Sequence, residues 1–262
     1  MLDIGVNLTS SAFDSDREQV LNRAWQAGLT ALIITGSSVE DSENALQLSR
    51  IHPNCFCTAG VHPHHASTFG NKTLIQLSQI LENKQVKAVG ETGLDFNRNF
   101  SSETAQVHAF EQQLQLACEK QLPIFLHQRD AHATFYPMIK AYRDQLPNAV
   151  LHCFTGSKEE LFDYLDLDLH IGITGWICDE RRGEELQSII TEVPLNRLML
   201  ESDAPYLLPR NMSPRPKSRR NEPAYLPFVL KAAVSKFCVM HAKALIQTKR
   251  LVPCSGPAML AL

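Results

Sequence analysis

The chain carries no excess of positive charge. Its 25 Lys and Arg stand against 28 Asp and Glu over 262 residues, a formal net charge of −3. No global basic field draws it to nucleic acid, so any such contact must come from a local patch. No apolar run is long enough to span a bilayer, so no membrane partner is expected. The start, Met1-Leu2-Asp3-Ile4, lacks the basic region and long apolar core of a signal peptide. The 7 cysteines are odd in number and follow no regular framework, which argues against a disulfide scaffold and for a reducing compartment. A cytoplasmic location is expected. No Gly-rich dinucleotide fingerprint follows the first apolar run, and no linker or low-complexity stretch interrupts the chain before about residue 208. Residues 1–262 are read as one domain.

What is present is an ordinary soluble composition, 44% apolar and 20% charged, with a regular rhythm. Short apolar runs at Leu2–Val6, Ala31–Thr35, Phe56–Gly60, Val86–Gly90, Pro123–His127, Ala149–Cys153, His170–Ile173 and Leu198–Glu201 predict strands. Amphipathic stretches between them predict helices over Asp14–Gly28, Val39–Ile51, Thr73–Leu81, Ser102–Gln121, Ala131–Tyr142 and Glu184–Val193. Gly28 is placed as a helix stop, Ser102 as an N-cap, and Ser157 to Glu160 as a capping box that opens one further helix. Strand–helix alternation repeated about eight times is the sequence form of a parallel α/β fold, and its length suits a (β/α)8 TIM barrel. A doubly wound open sheet is the rival.

The residues with chemical capability recur at one place in this rhythm, the C-terminal end of each strand. Val86 to Val89 run into Gly90-Glu91-Thr92-Gly93, an acid on a Gly-rich turn where packing does not require one. His62 and His64 follow the third strand, His127 ends the fifth, His152 ends the sixth, and Asp203 follows the eighth. Asp3 lies on the first. In a barrel those ends meet at one mouth. Imidazoles and carboxylates gathered there make a mixed nitrogen and oxygen metal site, for which softness slightly favours Zn²⁺. Five cations among prolines, Arg210, Arg215, Lys217, Arg219 and Arg220, follow the last strand and read as a clamp for a phosphate backbone. Arg129, His62 and His64 are candidates for phosphate contact, and Trp176 and Phe96 for base stacking. Asp179 to Arg182 reads as a charge-balanced, solvated face, and Cys55 and Cys57 as buried on one face of a strand.

These motifs carry a resemblance. Asp3-Ile4-Gly5-Val6-Asn7, Gly60-Val61-His62-Pro63-His64, Gly90-Glu91-Thr92-Gly93-Leu94-Asp95, His127-Gln128-Arg129-Asp130-Ala131, His152-Cys153-Phe154-Thr155-Gly156, Glu201-Ser202-Asp203-Ala204-Pro205-Tyr206 and Arg219-Arg220-Asn221-Glu222-Pro223 run in order to about Pro227. Together they resemble the TatD family of metal-dependent deoxyribonucleases, its bacterial members in particular. The resemblance implies a barrel of the amidohydrolase-like type, with metal ligands at Glu91, His127, His152 and Asp203. It also implies Mg²⁺- or Mn²⁺-dependent 3′–5′ exonuclease action on single-stranded DNA and RNA, in DNA repair.

There are two departures. Much of the wider family begins Asp-x-His-x-His, where Gly5 and Asn7 stand here, so one of two metals should be weakly held. Residues 231–262 match the family's ending poorly, although Ala232–Leu251 retains a helical pattern. Within this reading Glu91 and Asp203 are the catalytic acids, Asp203 as general base, and Asp95 is a turn residue or a partner to the ligands. Two alternatives remain open: an amide or ester hydrolase on the same scaffold, such as a D-aminoacyl-tRNA deacylase, and a barrel kept as a non-catalytic scaffold. The protein is expected to be a monomer.

Overall fold

The computed structural model describes residues 1–251, with side chains through Val239, and each short apolar run of the sequence forms a parallel strand in it. The strands are β1 (Leu2–Val6), β2 (Ala31–Ile34), β3 (Cys55–Ala59), β4 (Val86–Asp95), β5 (Ile124–Arg129), β6 (Ala149–Leu151), β7 (His170–Ile173) and β8 (Leu198–Leu200). Neighbours in sequence are neighbours in the sheet, from β1 through β8. The ring closes just past β8, where the Asp203 N–H donates to the Gly5 carbonyl at 2.9 Å and the Asn7 N–H to that of Ala204 at 2.8 Å. This is a TIM barrel. The helices between strands are α1 (Arg17–Gln26), α2 (Val39–Ile51), α3 (Asn71–Ile80), α4 (Glu103–Lys120), α5 (His132–Tyr142), α6 (Lys158–Asp166), α7 (Glu184–Ile189) and α8 (Leu226–Leu251). Among the described residues no helix is long and apolar enough to cross a membrane.

Local signals decide most boundaries. Ser102 accepts a hydrogen bond from the Ala105 N–H at the start of α4, and Ser157 and Glu160 form the capping box of α6. The chain leaves α1 through Gly28 at φ +89°, a left-handed conformation that glycine adopts without cost. The expected first helix over Asp14–Gly28 begins only at Arg17, because Ser11–Phe13 form a separate 3-10 turn. The last helix starts at Leu226, before the expected Ala232. The atypical ending expected from residue 231 falls partly on residues 252–262, which lie outside the described residues.

The largest correction concerns β4. The Gly-rich stretch is not a turn: the strand runs through it to Asp95, and its pairing with β5 shifts between Val89 and Thr92. Gly90 and Gly93 sit at φ +136° and +147°. A Cβ at either would run into a carbonyl oxygen of β5, that of Phe125 or of His127. The glycines thus allow two backbones to approach through an irregularity that carries Glu91 to the mouth.

Apolar burial forms two shells. Ile4, Ala88 and Phe125 pack together with Ile33, Val150 and Met199 into a small plug contributed by six strands. The larger core includes Leu32, Leu114, Phe135 and Ile173 and joins the sheet to its helices. The site lies on the C-terminal side of this packing, on residues at or past strand ends.

Arg220, expected at the substrate, is instead a clasp. It pairs with Asp16 at 2.7 Å and with Glu222 at 2.8 Å, and lies 5.0 Å over the Phe13 ring. Arg23 of α1 completes the network at 2.7 Å from Glu222. The clasp ties the segment before α8 to the start of α1, where the ends of the barrel sequence meet. The Arg220 guanidinium holds the Asp16 carboxyl down to about 2 from its ordinary 3.8. A depressed acid contributes stability above its unfolded pKa and loses it as pH falls through the folded value. Arg220→Met is therefore expected to lower unfolding free energy at neutral pH by roughly 2 kcal/mol. In urea titrations this deficit should shrink as pH drops from about 4 toward about 2.

Candidate metal and active site

Three imidazoles converge on one carboxylate oxygen. Oε1 of Glu91 lies 2.7 Å from His152 Nε2, 2.9 Å from His127 Nδ1 and 3.4 Å from His62 Nε2. Each arrives on its own backbone anchor. Glu91 N–H donates to the Gly36 carbonyl after β2 at 2.7 Å, and His152 N–H to that of Leu126 in β5 at 2.9 Å. His62 N–H donates to that of Ser37 at 2.9 Å, and His127 sits opposite Gly93 in the β4–β5 register. His127 Nδ1 and His152 Nε2 are themselves only 3.2 Å apart. Nitrogen lone pairs gathered around a buried acid suit a divalent cation, and His62, Glu91 and His127 can each offer it one ligand atom. His62, read from the sequence as a substrate contact, thus stands with the ligand candidates, and His152 completes the circle.

The charges in this cluster depend on one another. Burial alone would raise the Glu91 carboxyl, but the neighbouring imidazoles outweigh it and hold it well below the usual range. Burial would lower His152 and His127. For His152 the charges of Glu91 and Glu201 reverse this, and for His127 the carboxylates of Asp95 and Glu91 do so. Burial wins at His62 and pushes it down to about 4, leaving a neutral ring at physiological pH whose Nδ1 accepts from the His64 N–H at 3.1 Å.

Asp95 has a larger role than its turn position suggests. Its Oδ2 lies 2.7 Å from His64 Nε2 and 3.6 Å from His127 Nε2, while Oδ1 accepts from the N–H groups of Asn97 and Arg98. His64 is thereby tied to the ligand set, and the far nitrogen of His127 faces a carboxylate, an arrangement that orients ligating histidines elsewhere.

Two glutamines of α4 went unrecognised in the sequence. Gln106 accepts from the Asp95 N–H and donates to its carbonyl. Gln113 does the same to Val61, the residue before His62. Both are fully buried. The available signal was two amides seven apart on the buried stripe of Ala109, Phe110, Leu114 and Ala117, where an apolar residue would be expected.

Asn7 donates to Asp203 Oδ1 at 3.0 Å. The Asn7 amide, read from the sequence as a poor substitute for a ligating imidazole, therefore orients the candidate base. Burial pushes the Asp203 carboxyl up to about 7. Asp203 and the Glu91 cluster line one cavity of about 790 Å³, together with His64, Arg129, Trp176, Arg182, Tyr206 and Arg219. Arg182, read as part of a solvated face, lies 5.9 Å over the Trp176 ring and is thus a cavity residue that the sequence reading missed. Arg210 does not line the cavity: it pairs with Glu180 at 2.9 Å. Phe96 packs against the core, also away from the cavity. Burial pushes Cys55 up to about 12 and Cys57 to about 11, which keeps both as protonated packing residues.

With this geometry in view, the comparisons with known proteins are direct. Residues 2–247 match the family described as TatD related DNase. The chain belongs to that family. Its relatives include the 3′-5′ ssDNA/RNA exonuclease TatD of Cronobacter sakazakii, 53% identical over 231 residues that cover 88% of each protein. The exonuclease of the same name from Dickeya dadantii is 56% identical over 232 residues, again 88% of each. Among solved structures, a TatD homologue from Escherichia coli K12 is 29% identical with a TM-score of 0.81, covering 90% of each chain. A TatD-family hydrolase from Entamoeba histolytica is 26% identical with a TM-score of 0.80, covering 90% of this chain and 91% of the other.

Two measurements follow from this site. Gln106→Leu strands the Asp95 N–H and carbonyl in a buried place, and chemical denaturation should show a loss of roughly 2–3 kcal/mol. A divalent cation at about a hundredfold excess over its dissociation constant should stabilise the chelator-treated protein by ~2.7 kcal/mol, a rise of several degrees in Tm by calorimetry. Glu91→Ala should remove that rise.

Proposed function

We propose that this protein is a divalent-metal-dependent 3′–5′ exonuclease acting on single-stranded DNA and RNA, with Mg²⁺ or Mn²⁺ as its physiological metal. The observation that carries the reading is the convergence of His62, His127 and His152 on Glu91 at the floor of a cavity rimmed by arginines, in a family whose close relatives bear that activity in their names.

The residues divide the work. Glu91, His127 and His152, with His62 beside them, would hold the cation, and Asp203 would reach it from the side of β8. The cation supplies neutralisation of phosphate charge and a lowered pKa for bound water. Asp203, oriented by Asn7, takes the proton from the attacking water as general base. Arg129, steadied by its hydrogen bond to Thr155 at 2.9 Å, and Arg219 grip the phosphate backbone from the rim. His64, held by Asp95 through Nε2, lines the same cavity near the scissile phosphate. Trp176 and Tyr206 present rings to bases, a contact that tolerates any sequence. Arg210 and Arg220 stand outside the cavity and pair with Glu180, Asp16 and Glu222, so the grip is assigned to Arg129 and Arg219.

A single-stranded oligonucleotide labelled at its 5′ end, incubated with Mg²⁺, should shorten from its 3′ end and stop doing so with chelator. Asp203→Asn should lower kcat by about 10²–10⁴-fold. In the unaltered enzyme the rate should rise with pH as Asp203, which titrates at about 7 in the metal-free site, loses its proton; the bound cation will draw that limb lower. Release of an ester-linked amino acid from a charged tRNA, without shortening of the oligonucleotide, would replace this reading with the deacylase alternative.

A further inference from the structure

Glu201 has no task in the reaction just described, yet two strands leave room for it. It is fully buried directly after β8 and is not among the residues lining the cavity. Its Oε1 accepts from the Cys153 backbone N–H. Its Oε2 makes no hydrogen bond and lies 3.4 Å from His152 Nδ1, an ion-pair distance. A buried carboxylate oxygen without a hydrogen bond is costly, and native structures retain few of them.

Two strands give up side chains to make room for it. A Cβ at Gly5 in β1 would stand 2.6 Å from Glu201 Oε2, and one at Gly172 in β7 would stand 2.6 Å from Oε1. Neither glycine sits at a positive φ, so backbone freedom does not account for them. Space for this carboxylate does. On the far side of the imidazole, His152 Nε2 faces Glu91 Oε1 at 2.7 Å. Phe125 stacks at a tilt on the His152 ring, 5.0 Å between centroids, and packs into the apolar plug.

We propose that Glu201 is the positioning residue of His152. Its carboxylate charge, 3.4 Å from Nδ1, favours the ring proton there and so leaves the Nε2 lone pair for the cation beside Glu91. Gly5 and Gly172 are the gaps that admit it. Glu201 touches neither substrate nor cation. It acts through the imidazole, as carboxylates behind ligating histidines do. This inference rests on the metal-site reading above.

The test is Mn²⁺ affinity by titration calorimetry, alongside urea unfolding of the metal-free protein. Glu201→Gln keeps the shape and still accepts from Cys153. It can turn an amide N–H onto Nδ1, which moves the ring proton to Nε2, the atom that must ligate. Mn²⁺ affinity should fall about 10–100-fold, while metal-free stability is unchanged or higher, because a neutral amide is easier to bury than an acid. Gly5→Ala, which drives Glu201 off its seat, should also weaken Mn²⁺ binding, and it decides the matter if Glu201→Gln does not fold. Unchanged affinity in either folded variant overturns the proposal, as does lost stability with affinity intact. If the unaltered protein binds no Mn²⁺, the metal-site reading falls and this inference with it.

Discussion

The constraint on which the rest depends is the crowding of three imidazole nitrogens around a single carboxylate oxygen. Without a cation these groups must share protons in a buried place, and each pushes on the titration of its neighbour. Such an arrangement persists only if the scaffold fixes every member independently. The barrel does so by drawing each residue from a different strand end and tying it by its backbone N–H to another segment of the barrel, Glu91 to Gly36 after β2 and His152 to Leu126 in β5. The irregularity in β4 brings Glu91 to the cluster, which is why both flanking glycines have a steric role against β5.

Around the cluster lies a ring of supports. Asp95 faces His127 and His64, Glu201 faces His152, and Asn7 faces Asp203. Behind these stand the α4 glutamines, which clamp the backbone of Asp95 and of Val61. Each support uses a polar group in a buried place and is nearly fully satisfied, the condition under which buried polar networks rigidify a site. Among the described residues the buried side-chain atoms left without a hydrogen bond are Asp3 Oδ2, Thr92 Oγ1, His127 Nε2 and Glu201 Oε2. Two of the four belong to the ligand histidines and their partners, where function outweighs hydrogen-bond satisfaction.

The absence of a histidine at position 5 also finds a physical account. The expectation was that Gly5 and Asn7 leave the site short of ligands. In the structure the room that a side chain at position 5 would need is filled by Glu201, and Asn7 is engaged with Asp203. The first strand and the residue after it thus place no imidazole at the mouth, and the cluster is organised around Glu91 with His127, His152 and His62.

The sequence by itself determined the strand–helix rhythm, the barrel, and the identities of Glu91, His127, His152 and Asp203 as chemically capable strand ends. These are legible because strand periodicity and helix caps are local, and because a barrel sends every strand end to one mouth. Tertiary structure alone decided which polar groups pair. Nothing local says that Arg220 faces Asp16, that Arg210 faces Glu180, or that Arg182 lies over Trp176, since an arginine's partner is set by what packs opposite it. Gln106, Gln113 and Glu201 escaped notice for the same reason: their roles are contacts to residues up to 52 positions away. The spacing of Gly90 and Gly93 announced an unusual backbone, but only pairing with β5 showed it to be a strand and not a turn, because the shape of that stretch is imposed by the carbonyls that face it.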